Sequence, residues 1–186
     1  RGDAATVRKL LQDGASPKAR DSRGRTALLA ATHGDRVETA RLLIAAGSDV
    51  NAKDSIEDSP FLFAGAEGRN EILKMTLAAG ADLGATNRYG GTALIPAAHH
   101  GHVETVKILL TTAIDKDHAN KLGWTALLEA VILGDGGPAH TEIVRLLVAA
   151  GAGVNIADRD GITPLAHARK RGAAAIARIL EAAGGR

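Results

Sequence analysis

Three imidazoles stand within four residues at His99, His100 and His102, the densest set of ligand-type side chains in the chain. Neutral imidazole nitrogen suits zinc or nickel, and three such groups could supply most of a four-coordinate site. The set lacks a local fourth ligand, because the 186-residue sequence has no cysteine and the next acidic residue is Glu104. Asp115, Asp117 and His118 form a second group, with side chains suited to proton transfer or calcium. A calcium loop needs further oxygen ligands and a distal glutamate at fixed spacing, which are absent here. Proton transfer needs a pocket, which a loop tip does not offer. Arg169-Lys170-Arg171 could hold phosphate, and Arg1-Gly2-Asp3 spells a cell-adhesion triplet. No G-x-x-x-x-G-K-[ST], G-x-S-x-G or H-E-x-x-H motif occurs. The sequence therefore points to no catalytic group and implies no cofactor.

Composition limits what can position these side chains. Apolar residues make up 45% of the chain and charged residues 24%, while aromatics account for only 2%: Phe61, Phe63, Tyr89 and Trp124. A core of Leu, Ile, Val and Ala suits close-packed short helices. No run of 18 apolar residues could span a bilayer. The net charge is +2, but residues 1–25 carry +4, residues 158–186 carry +3, and the centre is acidic. A nucleic-acid binder presents one continuous basic face, and this split distribution argues against one.

Self-similarity organises the whole chain. Hydroxyl residues recur at Thr26, Ser59, Thr92, Thr125 and Thr163, with spacings of 33, 33, 33 and 38. Each precedes an apolar block, and a second block follows, as in Glu38-Thr39-Ala40-Arg41-Leu42-Leu43 and Glu142-Ile143-Val144-Arg145-Leu146-Leu147. A hydroxyl at a helix start accepts a bond from an orphan backbone N–H. Pro60 and Pro164 come next, at the first helical position, where a missing N–H costs nothing. Gly68, Gly101, Gly134 and Gly172 are expected to end the first helices in the left-handed conformation, and Gly14, Gly47, Gly80, Gly151 and Gly184 the second ones. Helices this short do not persist alone in water, so stacking must hold them.

These blocks resemble the ankyrin repeat family. Gly47-Ser48-Asp49-Val50-Asn51-Ala52-Lys53-Asp54, Gly101-His102-Val103-Glu104-Thr105-Val106-Lys107-Ile108-Leu109-Leu110 and Gly151-Ala152-Gly153-Val154-Asn155-Ile156-Ala157-Asp158 nearly reproduce its pattern. The resemblance implies an all-α solenoid of stacked antiparallel helix pairs, with β-hairpin-like fingers near 15–25, 48–58, 81–91, 114–124 and 152–162. It divides the chain into a partial repeat at 1–20, repeats at 21–53, 54–86, 87–119 and 120–157, and a C-terminal cap at 158–186. His102 falls where the family commonly keeps His, which favours a structural role over metal binding. Arg1-Gly2-Asp3 falls at a helix junction, and the first repeat lacks its first helix, so a segment preceding Arg1 is expected. The Ala-, Gly- and Arg-rich composition and an inserted loop look like bacterial members, some of which are exported. The compartment stays open between periplasm and cytoplasm.

Departures from the pattern carry their own expectations. Leu29, Leu62, Ile95, Leu128 and Ala166 replace the family's histidine, so apolar contact is expected in its place. Ala113 stands where the other repeats have glycine, predicting an irregular finger over 114–120. Pro96 predicts a slight kink in its helix. Five extra residues, Asp135 to Ala139, predict a surface loop bulging from the solenoid edge.

The family resemblance implies a non-enzymatic, monomeric protein-binding module that contacts its partner through fingertips and a concave face. Tyr89 and Trp124 are expected at adjacent fingertips as interface anchors, with Arg88, Leu122 and Ile162 nearby. Ile132, Leu133, His99 and His100 occupy helix-end positions that could extend the same patch. Metal or small-ligand binding through His99, His100 and His102 is the alternative.

Overall fold

Eleven short helices alternate with turns along the computed structural model, which describes residues 3–186. Arg1 and Gly2 of the adhesion triplet lie outside the described residues; Asp3 caps the first helix by accepting from the Ala5 and Thr6 N–H groups. The helices are α1 (Ala4–Gln12), α2 (Ala27–His33), α3 (Val37–Ala45), α4 (Pro60–Ala66), α5 (Asn70–Ala78), α6 (Leu94–His99), α7 (Val103–Leu110), α8 (Ala126–Ile132), α9 (Pro138–Ala149), α10 (Pro164–Lys170) and α11 (Ala174–Ala182). From α2 onward they pair in sequence. Helices α2, α4, α6, α8 and α10 stack as one layer, and α1, α3, α5, α7, α9 and α11 as the other.

The core is a pair of ladders that runs the length of this stack. Leu28, Phe61, Leu94, Leu127 and Leu165 are buried in the first layer, and Leu43, Leu109, Leu147 and Leu180 in the second. Each fully buried side chain of this size contributes about 1.5–3 kcal/mol, which is what sustains helices of six to twelve residues. Leu29, Leu62, Ile95 and Leu128 are buried as well, so apolar packing does fill the place of the missing histidines; Ala166 is exposed.

Thr26, Ser59, Thr125 and Thr163 cap α2, α4, α8 and α10, each accepting from the N–H three residues on. Thr92 does not. Pro96 has no N–H to give the Thr92 carbonyl, and the Ile95 N–H donates there instead at 3.2 Å. The tighter turn delays α6 until Leu94 and leaves the buried Thr92 hydroxyl without a partner. Pro96 therefore sits in the first turn of a late-starting helix rather than kinking an established one. Ala93 presses close to α4, where a Cβ on Gly65 would stand 2.8 Å from the Ala93 Cβ.

Three other expectations need correction. Gly134 is not left-handed; the positive φ in that connection belongs to Gly136. At the corresponding point after α2, Asp35 takes φ 50°. Ala113 avoids the left-handed region, with the Thr111 and Thr112 hydroxyls donating to the Ile108 and Leu109 carbonyls at 2.7 and 2.6 Å, and the finger expected to be irregular over 114–120 keeps the turn pattern of 81–87. The inserted residues form less of a loop than expected. Pro138 and Ala139 open α9, which runs twelve residues where α3 has nine.

The fingers are turns rather than strands, with one isolated bridge, Arg20 to Thr26, among the described residues. Their shared device is a side-chain acceptor at the start of each finger turn. Asp21, Asp54, Asn87, Asn120 and Asp158 each accept, through Oδ1, the N–H groups two and four residues on. Each also donates its own N–H to the carbonyl four residues on. Short Asx side chains mimic a backbone turn in this way.

Candidate functional site

The fingers at 87–91 and 120–124 stand over α4, α6 and α8 and enclose a groove of about 660 Å³. Asn87 and Asn120 fix the two finger loops, so Tyr89 and Leu122 occupy equivalent tip positions 33 residues apart. These tips are well exposed, Tyr89 at 61% and Leu122 at 57%. The Lys121 N–H donates to the Tyr89 carbonyl at 2.9 Å and ties one finger to the next. Lys121 Nζ donates to the Arg88 carbonyl at 2.8 Å.

Six of the sequence candidates line this groove: Arg88, Tyr89, His99, His100, Leu122 and Leu133. Trp124, Ile132 and Ile162 do not. Trp124 stands at the base of its finger, one residue before the Thr125 cap, and is half-buried, so it is not a fingertip neighbour of Tyr89. Ile162 holds the same base position in the last finger, and Ile132 is half-buried at the end of α8.

Sequence reasoning missed the carboxylates. Asp58, near the other end of the groove, faces Arg88 with Oδ1 3.5 Å from Nη1, and the Arg88 guanidinium lies 4.8 Å over the Tyr89 ring. Burial holds the Asp58 carboxyl above its usual range, against the pull of Arg88. Glu129, on α8, is only 5% exposed. Its Oε1 accepts from Asn120 Nδ2 at 2.7 Å, while its Oε2 is buried with no hydrogen-bond partner. Burial pushes the Glu129 carboxyl up. His99 Nδ1 lies 3.6 Å from Oε2, too far for a hydrogen bond. Burial and the neighbouring His100 lower the His99 pKa. A charged residue within an otherwise apolar helical block was the available signal for Glu129, since its register-mates Ala30, Phe63, Pro96 and His167 are not acidic.

The histidine set does not converge. The His99 and His100 ring centroids are 4.8 Å apart and those of His100 and His102 5.7 Å apart, and His100 Nδ1 donates to the Ala66 carbonyl at 2.8 Å. The His102 ring packs against Gly68 instead, where a Cβ would come within 3.1 Å of it. No group of three His, Asp or Glu placed to hold a metal occurs among the described residues. Asp117 and His118 link fingers, through the Gly153 N–H and the Gly90 carbonyl at 2.8 and 2.7 Å. Arg171 donates to the Gly134 carbonyl and Arg169 to Glu181, both at 2.7 Å.

Stacked short helix pairs, turn-built fingers and a groove lined by side chains that differ from repeat to repeat define a repeat solenoid with a concave face. The chain belongs to the ankyrin repeat family. Residues 61–158 match the family model for ankyrin repeats (3 copies), and residues 23–55 match that for a single ankyrin repeat. An ankyrin repeat domain from Acinetobacter baumannii AYE shares 54% identity, with TM-score 0.96, over 99% of this chain and 94% of that one. The E. faecalis ankyrin repeat protein EF0377 shares 43%, with TM-score 0.93, over 96% and 92%. Escherichia coli (strain K12) YahD, an ankyrin repeat protein, is 48% identical over 56 residues, which span 30% of this chain and 28% of YahD. Ankyrin repeats are in general protein–protein interaction modules, and the fold is a non-enzymatic one. No helix among the described residues is long and apolar enough to cross a membrane.

Proposed function

We propose that this chain is a monomeric, non-enzymatic binding module that receives a protein partner in the groove between the 87–91 and 120–124 fingers. The observation that carries this reading is the convergence of exposed Tyr89, Leu122 and Leu133 on one concavity. Large side chains with few rotatable bonds lose little entropy on contact and serve as anchors. The helices beneath them are held by the continuous core, so the surface is presented without reorganisation.

Photo-crosslinking tests the proposal. A benzoylphenylalanine placed at Leu122, and a control placed at Lys107 on α7, are exposed to an extract of the source organism. The crosslinked protein is identified, purified and titrated by calorimetry. A partner that crosslinks from Leu122 and not from Lys107, and whose purified form loses affinity for Leu122→Asp, supports the groove. Equal crosslinking from both positions, or undiminished affinity for Leu122→Asp, moves binding to another face.

A further inference from the structure

The groove is apolar at its rim and carries in its wall a buried carboxyl group that is only half satisfied. Leu122, Leu133 and Tyr89 supply the exposed apolar surface, and Glu129 supplies a carboxylate oxygen that is buried without a donor. The two cations of the groove are already engaged, Arg88 with Asp58 and Lys121 with the Arg88 carbonyl. Neither reaches Glu129. The one ion-pairing type of side chain within 4 Å of it is the His99 imidazole, at 3.6 Å. A buried carboxylate oxygen without a donor is costly, and a charged donor supplied on binding removes that cost while adding a strong hydrogen bond. The groove also accepts guanidinium geometry within itself, since Arg88 lies 4.8 Å over the Tyr89 ring.

We propose that the groove selects its protein partner through one basic side chain, arginine or lysine, whose head group meets Glu129 beside His99 while the flanking apolar residues of the partner pack on Leu122 and Leu133. This rests on the groove being the binding face. The wrong partner is then one with an acidic residue at that place, which would set two carboxylates together. The Asn120 bond to Oε1 holds the carboxyl group in place in the groove wall.

Short random peptides displayed on phage, selected separately on the wild-type chain and on Glu129→Gln, provide the test. Selected peptides are then titrated against both proteins and against Leu122→Asp, and each basic residue is replaced by its neutral counterpart, citrulline for arginine and norleucine for lysine. The expected result is enrichment of one basic residue beside apolar ones on the wild type alone. Glu129→Gln and the neutral peptide should each weaken binding by about tenfold or more, and together no further. The peptide substitution leaves the protein untouched, so the result does not depend on how Glu129→Gln folds. Peptides that lose affinity for Leu122→Asp but carry no basic residue, or bind Glu129→Gln equally, overturn the inference and leave the groove standing. Absence of any peptide enriched over an unrelated protein overturns both.

Discussion

The His140 ring lies against Gly101, and its Nε2 donates to the His99 carbonyl at 2.8 Å, as its Nδ1 faces Asp135 Oδ1 at the same distance. His140 is 38 residues beyond His102, whose ring packs on Gly68 in the same manner. The five inserted residues therefore separate Gly134 from a histidine that still performs the inter-repeat contact. Deleting Asp135 through Ala139 restores the 33-residue spacing and should leave a single cooperative denaturant transition. His140→Ala, by contrast, leaves the His99 carbonyl without its donor and should cost about 1–3 kcal/mol. Loss of cooperativity in the deletion, or a harmless His140→Ala, would show that the insertion itself braces the stack.

Thr26 and Thr92 are the same residue at the same point of the repeat, and the difference in their hydroxyls is measurable. Thr26 Oγ1 accepts from the Leu29 N–H at 3.1 Å, whereas the Thr92 hydroxyl is buried without a partner. Thr26→Val removes a cap and should destabilise by about 1 kcal/mol. Thr92→Val removes an orphan polar group while keeping the shape, and should be neutral or stabilising by up to about 1 kcal/mol. Equal losses in urea melts of the two variants would contradict the delayed start of α6.

Gly65 lies inside α4, where alanine is normally the better residue by about 1 kcal/mol. Here the added Cβ would meet that of Ala93 at 2.8 Å, and Ala93 is the residue that leads into α6 rather than the end of a flexible side chain. Gly65→Ala should therefore lower stability by about 1–3 kcal/mol. A rise in melting temperature would mean that α4 and α6 separate easily.

The repeat period made the helices legible because a helix cap, a buried leucine and a terminal glycine are local requirements that recur wherever the unit recurs. What broke the period was harder to place. Pro96 was visible as an irregularity, but whether it bends α6 or delays it depends on which N–H takes the Thr92 carbonyl, a bond that falls to Ile95. Ala113 likewise signalled a different helix end, while the two threonine hydroxyls that close it are an arrangement of side chains. At the groove, Tyr89 and Leu122 follow from finger register alone. Trp124 was misplaced because a finger has a tip and a base, and residues counted within the same finger differ in exposure. Glu129 was missed because its importance lies in burial without a donor, a property of three dimensions.

Burial raises the Glu129 carboxyl above its ordinary value near 4.5, so the folded chain holds that proton more tightly than the unfolded chain does. The associated stability is fully present below about pH 4.5 and is lost as pH rises through the folded-state value. In Glu129→Gln the new amide carries no charge at any pH and keeps an oxygen for Asn120. The stability of Glu129→Gln relative to wild type should accordingly increase with pH from about 4.5 upward and then level off. His99 faces the same oxygen and titrates below the usual imidazole value, so the comparison is repeated with His99→Ala in both proteins. A constant difference from about pH 4 to about pH 8 in either background would mean that the carboxylate is adequately solvated.

Leu122 and Trp124 separate recognition from packing within a single finger. Leu122 is exposed at the tip and lines the groove, and its backbone N–H rather than its side chain serves the Asn120 turn. Leu122→Ala should change stability by less than about 0.5 kcal/mol. If the groove receives the partner, the same change should weaken binding by about 1–2 kcal/mol, a tenfold scale of loss for a central anchor. Trp124 is half-buried at the base, so Trp124→Ala removes packed surface and should cost about 1–3 kcal/mol of stability. Its effect on affinity should be smaller than that of Leu122→Ala once both proteins are compared well below their melting points. Calorimetry with the crosslinked partner and a urea melt on each variant read the two effects independently. The reverse ordering, with Trp124 dominating affinity and Leu122 silent, would shift the interface from the groove to the outer side of the finger.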